Sequence, residues 1–144
     1  MFIYRLHRIK RSAADYGGTL VIAQRWNPAG VGMLYCASSQ SLAVLEVLVH
    51  TEKTNIPDDY VWSMASVDLL RTLDVNTGQI HDLKYTNNVG RQWVREGLNV
   101  GVMVPSVIVP TEMNVLLNPE HDNYSAIKWK GPTLFAFDPR LFGP

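Results

Sequence analysis

At 144 residues the chain suits one domain, and a domain of that length buries about 70% of the surface its unfolded chain would expose. Its 47% apolar and 18% charged residues exclude disorder by composition. Thirteen basic residues balance thirteen acidic ones, which excludes a general electrostatic pull on nucleic acid.

The first predicted element is a strand over residues 3–6. It runs into a basic patch of Arg5, His7, Arg8, Lys10 and Arg11, read here as solvated surface. The N-terminal stretch lacks the apolar run and cleavage site of a secretory signal. No segment approaches about 18 uninterrupted apolar residues, so the expected location is the cytoplasm, away from the membrane. A second strand is predicted over residues 33–37. Neighbouring strand side chains point to opposite faces, which sends Cys36 to the core and leaves Tyr35 facing a ligand or simply covering the sheet. Cys36 is the sole cysteine, so no internal disulfide forms.

A helix follows over residues 39–50, with Ser38 or Ser39 as its N-cap. At about 100° per residue, Leu42, Leu45 and Val49 share one stripe, and Glu46 lies inside it, about 40° from Leu42. A carboxylate turned toward a packed face needs a cation, hydrogen-bond donors or a ligand. Arg25 is the natural partner, either in an ordinary ion pair at the core edge or in a site.

Further strands are predicted over residues 60–66, 101–104, 126–129 and 134–137, and a weaker helix over residues 88–98, where Gly90 and Gly97 lower the helical preference. Strands and helices do not alternate regularly, so the fold class is α+β in one domain over residues 1–144. Ser106 follows Pro105 where the chain leaves a strand, but no Gly-x-Ser-x-Gly elbow surrounds it. His7, His50, His81 and His121 have no ligand spacing, so no metal is expected. Walker and G-x-G-x-x-G phosphate loops do not occur.

Several strings in order carry a resemblance: Arg25-Trp26-Asn27-Pro28-Ala29-Gly30, Leu34-Tyr35, the run from Leu42 to His50 around Glu46, and Val104-Pro105-Ser106. Glu112-Met113-Asn114, Leu116-Leu117-Asn118-Pro119 with His121, and Phe137-Asp138-Pro139-Arg140 continue it over nearly the whole chain. The chain resembles the RES-domain family, named for an arginine, a glutamate and a serine that fall on Arg25, Glu46 and Ser106. Tyr35 matches the family's active-site tyrosine. Ala23-Gln24 stands where the family often has Gly-Gly, and Asp122 where a proline often follows the histidine.

The resemblance implies an ADP-ribosyltransferase-like fold with a mixed β-sheet core. It implies a toxin that breaks NAD at the nicotinamide bond, restrained by a helix-turn-helix antitoxin, with a homodimer assembled in that complex. DNA would be met only through the antitoxin. NAD would be the substrate, with no other cofactor. Arg25 would hold the diphosphate and Glu46 the ribose and the developing cation, while Tyr35 would stack on nicotinamide or orient the ribose and Ser106 would hydrogen-bond the same end of the substrate. Water, phosphate or a protein could accept the ADP-ribose. A domain without chemistry, acting only in a regulatory complex, is the reading from another class.

Overall fold

The computed structural model describes residues 1–68 and 70–144. Seven strands form one mixed sheet: β1 (Phe2–Arg8), β2 (Leu34–Ala37), β3 (Tyr60–Ser66), β4 (Arg71–Thr72), β5 (Gly101–Pro105), β6 (Met113–Leu117) and β7 (Trp129–Leu134). Their order is β4-β5-β6-β2-β1-β3-β7, parallel only between β4 and β5. Among the described residues two α-helices join them, α1 (Gln40–Leu48) and α2 (Leu83–Glu96). The architecture is α+β, and none of the described helices is long and apolar enough to cross a membrane.

The pairing is uneven in a way that makes the site. β1 pairs with β3 along its whole length, from Phe2↔Ser66 to Arg8↔Tyr60, yet it meets β2 only at Tyr4↔Ala37. Past that bridge the two strands diverge, and the sheet splits into a β1-β3-β7 part and a β2-β6-β5-β4 part.

Apolar residues fill both faces. Under α2, Trp93 and Val94 pack with Trp26, Met33, Val102, Val104 and Leu116. On the opposite face Ile3, Leu34, Cys36, Ala65, Val115 and Leu117 form a second cluster, and α1 closes a third around Leu6, Ala37, Leu42, Ala43 and Phe137.

Ser39 caps α1 by accepting from Leu42 N at 3.1 Å. Its inward face differs from the expected stripe. Leu42 and Ala43 are buried, Glu46 and Val47 are half-buried, and Leu45 and Val49 are turned outward at 36% and 54% exposure. Small Ala43 lets the helix settle onto β1 and β2 on that side, and the rotation sets Glu46 among inward residues rather than along the Leu45–Val49 edge.

α2 begins five residues before the expected Asn88, because Asp82 accepts from Lys84 N at 3.0 Å and Tyr85 N at 3.3 Å. Gly97, at φ 63°, ends it in the left-handed conformation that favours glycine. Two strands, β4 and β6, lie outside the expected set, and two strand expectations need correction. β6 lies within the run that supplied Met113-Asn114 and Leu116-Leu117 but shows no polar alternation, since its last three residues are buried. The strand expected over residues 126–129 is a 3-10 turn (Tyr124–Ala126) followed by β7 from Trp129. The strand expected over residues 134–137 contains only Leu134, because Phe135 and Phe137 leave the sheet to pack edge-to-face with centroids 5.0 Å apart.

Candidate active site

A cleft of about 660 Å³ opens where β1 and β2 part. Tyr4 and Ala37 share one face of the sheet, so Arg5 and Cys36 lie on the other, and the split gives the cleft access to both. Tyr35 from β2, Glu46 and Val47 from α1, His50 just beyond it, and Asn114 from β6 complete the wall near the helix.

Glu46 does not pair with Arg25. Its Oε1 accepts from Ser106 Oγ at 2.9 Å and from Asn114 Nδ2 at 2.7 Å, while Oε2 makes no hydrogen bond among the described residues. The expected core-edge ion pair is therefore replaced by two neutral donors. These compensate a partly buried carboxylate without cancelling its charge.

Ser106 is 1% exposed and does not line the cleft. Besides donating to Glu46, its Oγ accepts from Ile108 N and Val109 N, both at 3.1 Å, which caps the turn after β5. The serine acts on the site through Glu46. Its buried hydroxyl is engaged in these three bonds.

Tyr35 lines the cleft with its ring and spends its hydroxyl on the loop that carries Arg25. The hydroxyl donates to Asn27 Oδ1 at 2.7 Å and accepts from Trp26 N at 3.0 Å. Burial holds the phenol above the ordinary tyrosine range, against the opposing backbone bonds and the nearby Arg25 charge. On the loop's other side, Asn87 Nδ2 donates to the carbonyls of Gln24 at 2.7 Å and Arg25 at 3.0 Å. A Cβ on Gly90 would lie 1.7 Å from the Trp26 carbonyl oxygen, so only glycine lets α2 come this close. Gly90, which weakens the helix in sequence terms, is what seats the loop.

Arg25 itself is half-buried and donates from Nη1 to the Ile80 carbonyl at 3.1 Å. Gln24 and Tyr35 beside it line the cleft, but Arg25 does not. Cys36 is buried as expected, and loss of solvation pushes its thiol up to about 12.

Two residues without an assigned role in the sequence also reach the cleft. Arg5, expected with its basic patch to be solvated surface, is instead half-buried and lines the cleft, and its guanidinium donates to the carbonyls of Ala13 at 2.7 Å, Asp15 at 3.0 Å and Ser12 at 3.3 Å. No carboxylate lies within ion-pair distance of it among the described residues. Burial lowers its pKa, with Cys36, Tyr124 and Asp15 opposing. The available signal was the strand itself, because a cation between Ile3 and His7 on the inward face of a strand is as unusual as Glu46 in its helix. The other is Asn114, whose reach to Glu46 no sequence signal marks.

The chain is 36% identical over 137 residues to Toxin Res of Yersinia enterocolitica, covering 90% of this chain and 86% of that protein. It is 33% identical over 134 residues to the Prs ADP-ribosylating toxin of a Sphingobium species, covering 86% and 83%. In fold it matches the crystal structure of the M. tuberculosis MbcT–MbcA toxin–antitoxin complex with a TM-score of 0.72 at 18% identity, over 98% of this chain and 86% of that one. The profile of the RES domain matches residues 2–137, so the chain belongs to the RES domain family.

Proposed function

We propose that the protein is the toxin of a toxin–antitoxin pair and cleaves NAD at the bond between nicotinamide and ribose. The observation that carries this reading is the held carboxylate of Glu46, with one oxygen fixed by two donors and the other making no hydrogen bond among the described residues, beside an open cleft. In the reaction the glycosidic C–N bond breaks and its electron pair goes to the pyridinium nitrogen, which leaves as neutral nicotinamide. Positive charge develops on the ribose, as in other glycosidic cleavages. Glu46 Oε2 stabilises that charge and the ribose hydroxyls from a fixed position, which requires no reorganisation during the step. The acceptor oxygen then bonds to the ribose carbon and releases its proton.

Two guanidiniums serve the diphosphate, whose oxygens suit a planar donor fork. Arg5 offers from within the cleft a cation with no ion-pair partner among the described residues, and Arg25, next to the lining residues Gln24 and Tyr35 though not itself in the lining, retains donors beyond the one given to Ile80. The Tyr35 ring forms a wall for the nicotinamide end while its hydroxyl holds the Arg25 loop.

The test is nicotinamide release from NAD by purified protein. Wild type should release it, and Glu46→Gln should be slower by about 100-fold or more. Wild type that releases none, or a Glu46→Gln variant as fast as wild type, would falsify the assignment. A second reading keeps the chemistry and changes the acceptor to a protein, favoured by the name of the Sphingobium relative. Mass spectrometry of products, with and without phosphate and cell extract, separates hydrolysis, phosphorolysis and protein modification. The antitoxin partner is tested in cells, where a small helix-turn-helix protein encoded in the neighbouring reading frame should relieve growth arrest on co-expression, and expression that never arrests growth would count against the toxin reading.

A further inference from the structure

Asn114 is out of place by ordinary folding rules. It lies on β6, a central strand, in register with Ala37 of β2 and Val104 of β5, both buried. Asparagine is depleted in strands. Its Oδ1 is buried and has no hydrogen-bond partner among the described residues, a net loss to folding that an apolar residue of similar shape would avoid.

The other end of the amide explains its presence. Nδ2 donates to Glu46 Oε1 at 2.7 Å, shorter than the 2.9 Å bond from Ser106. The reverse orientation would set two acceptor oxygens at that distance, so the NH₂ group faces the carboxylate. Asn114 makes no other side-chain hydrogen bond among the described residues, whereas Ser106 also caps its own turn.

We infer that Asn114 is a positioning residue for Glu46, retained at the expense of stability to fix which carboxylate oxygen faces the substrate. With Oε1 bound from two sides, rotation of the carboxylate breaks at least one bond, and Oε2 stays directed to the ribose. This inference rests on the NAD reading and adds a residue to that site.

The experiment compares wild type, Asn114→Leu and Asn114→Asp in nicotinamide release and thermal unfolding. Asn114→Leu should melt at or above the wild-type temperature while kcat falls about 10- to 100-fold and KM for NAD stays within about twofold. Asn114→Asp keeps the shape and loses the donor, so its kcat should fall at least as far, which keeps the test decisive if the leucine variant folds poorly. In a Glu46→Gln background the Asn114→Leu change should lower kcat no further. Full kcat in a folded Asn114 variant, or a melting loss with kcat intact, overturns the inference. Wild type inert toward NAD defeats the NAD reading instead. Growth arrest on expression then decides the role of Asn114: loss of arrest in both Asn114→Leu and Glu46→Ala supports it, and arrest by Asn114→Leu equal to wild type overturns it.

Discussion

Tyr35 and Gly90 show how single residues place the rest of the site. In Tyr35→Phe the ring survives and the two bonds to Trp26 and Asn27 disappear, leaving buried Asn27 Oδ1 without its donor. The expected cost is about 1–3 kcal/mol in denaturant unfolding, with KM for NAD raised by loosening of the Arg25 loop. Gly90→Ala sets two effects against each other. Helix propensity favours alanine by about 1 kcal/mol, but the new Cβ would sit 1.7 Å from the Trp26 carbonyl oxygen, a backbone atom that cannot swing away. The clash wins, and the variant should lose more than about 2 kcal/mol of stability and unseat the loop, as seen in its melting curve. Sequence reading assigned Glu46 to an inward helix face, and it is there; its donors were not legible, because Asn114 and Ser106 are 68 and 60 residues away in sequence.

Among the elements, the β1–β3 pair contains a buried polar contact that titrates. His7 Nε2 lies 2.9 Å from Ser63 Oγ, and Nδ1 lies 3.1 Å from the Arg8 carbonyl. If Nδ1 carries the proton toward that carbonyl, Nε2 accepts from the serine and the ring is neutral. Burial lowers the imidazole's pKa, and the charge of Arg5 on the same strand acts in the same direction, while the backbone carbonyl opposes both. A base with a depressed folded pKa contributes stability that is fully present above its unfolded value near 6.5 and is lost as pH falls through the folded value. Melting temperature should therefore drop as pH goes below about 6.5, and His7→Gln should flatten that part of the curve; an unchanged slope would assign the acid sensitivity elsewhere. The strands 60–66 and 101–104 were readable from their composition, as was a serine cap at Ser38 or Ser39, of which the helix uses Ser39. β6 and the start of α2 were not, because β6 shows no alternation of buried and exposed residues and the Asp82 cap precedes any apolar periodicity.

For the molecule as a whole, the consequence of the split sheet is a ligand site between two parts joined by one bridge of β1 to β2. A ligand that contacts both parts stabilises the folded state by mass action, about 2.7 kcal/mol at a concentration 100 times its dissociation constant. ADP-ribose should raise the melting temperature of Glu46→Gln, in which binding is separated from turnover, and Arg5→Ala should reduce that rise. A rise unchanged by Arg5→Ala would remove Arg5 from the diphosphate site. The sequence by itself determined the α+β class, the single domain, the family strings and the inward turn of Glu46, because periodicity and local chemistry are written into neighbouring residues. Tertiary structure alone decided that the sheet parts at Tyr4 and Ala37, that Arg5 rather than Arg25 lines the cleft, and that Glu46 is held by Ser106 and Asn114. Those choices depend on which distant strands pair and how far, and no local pattern encodes them.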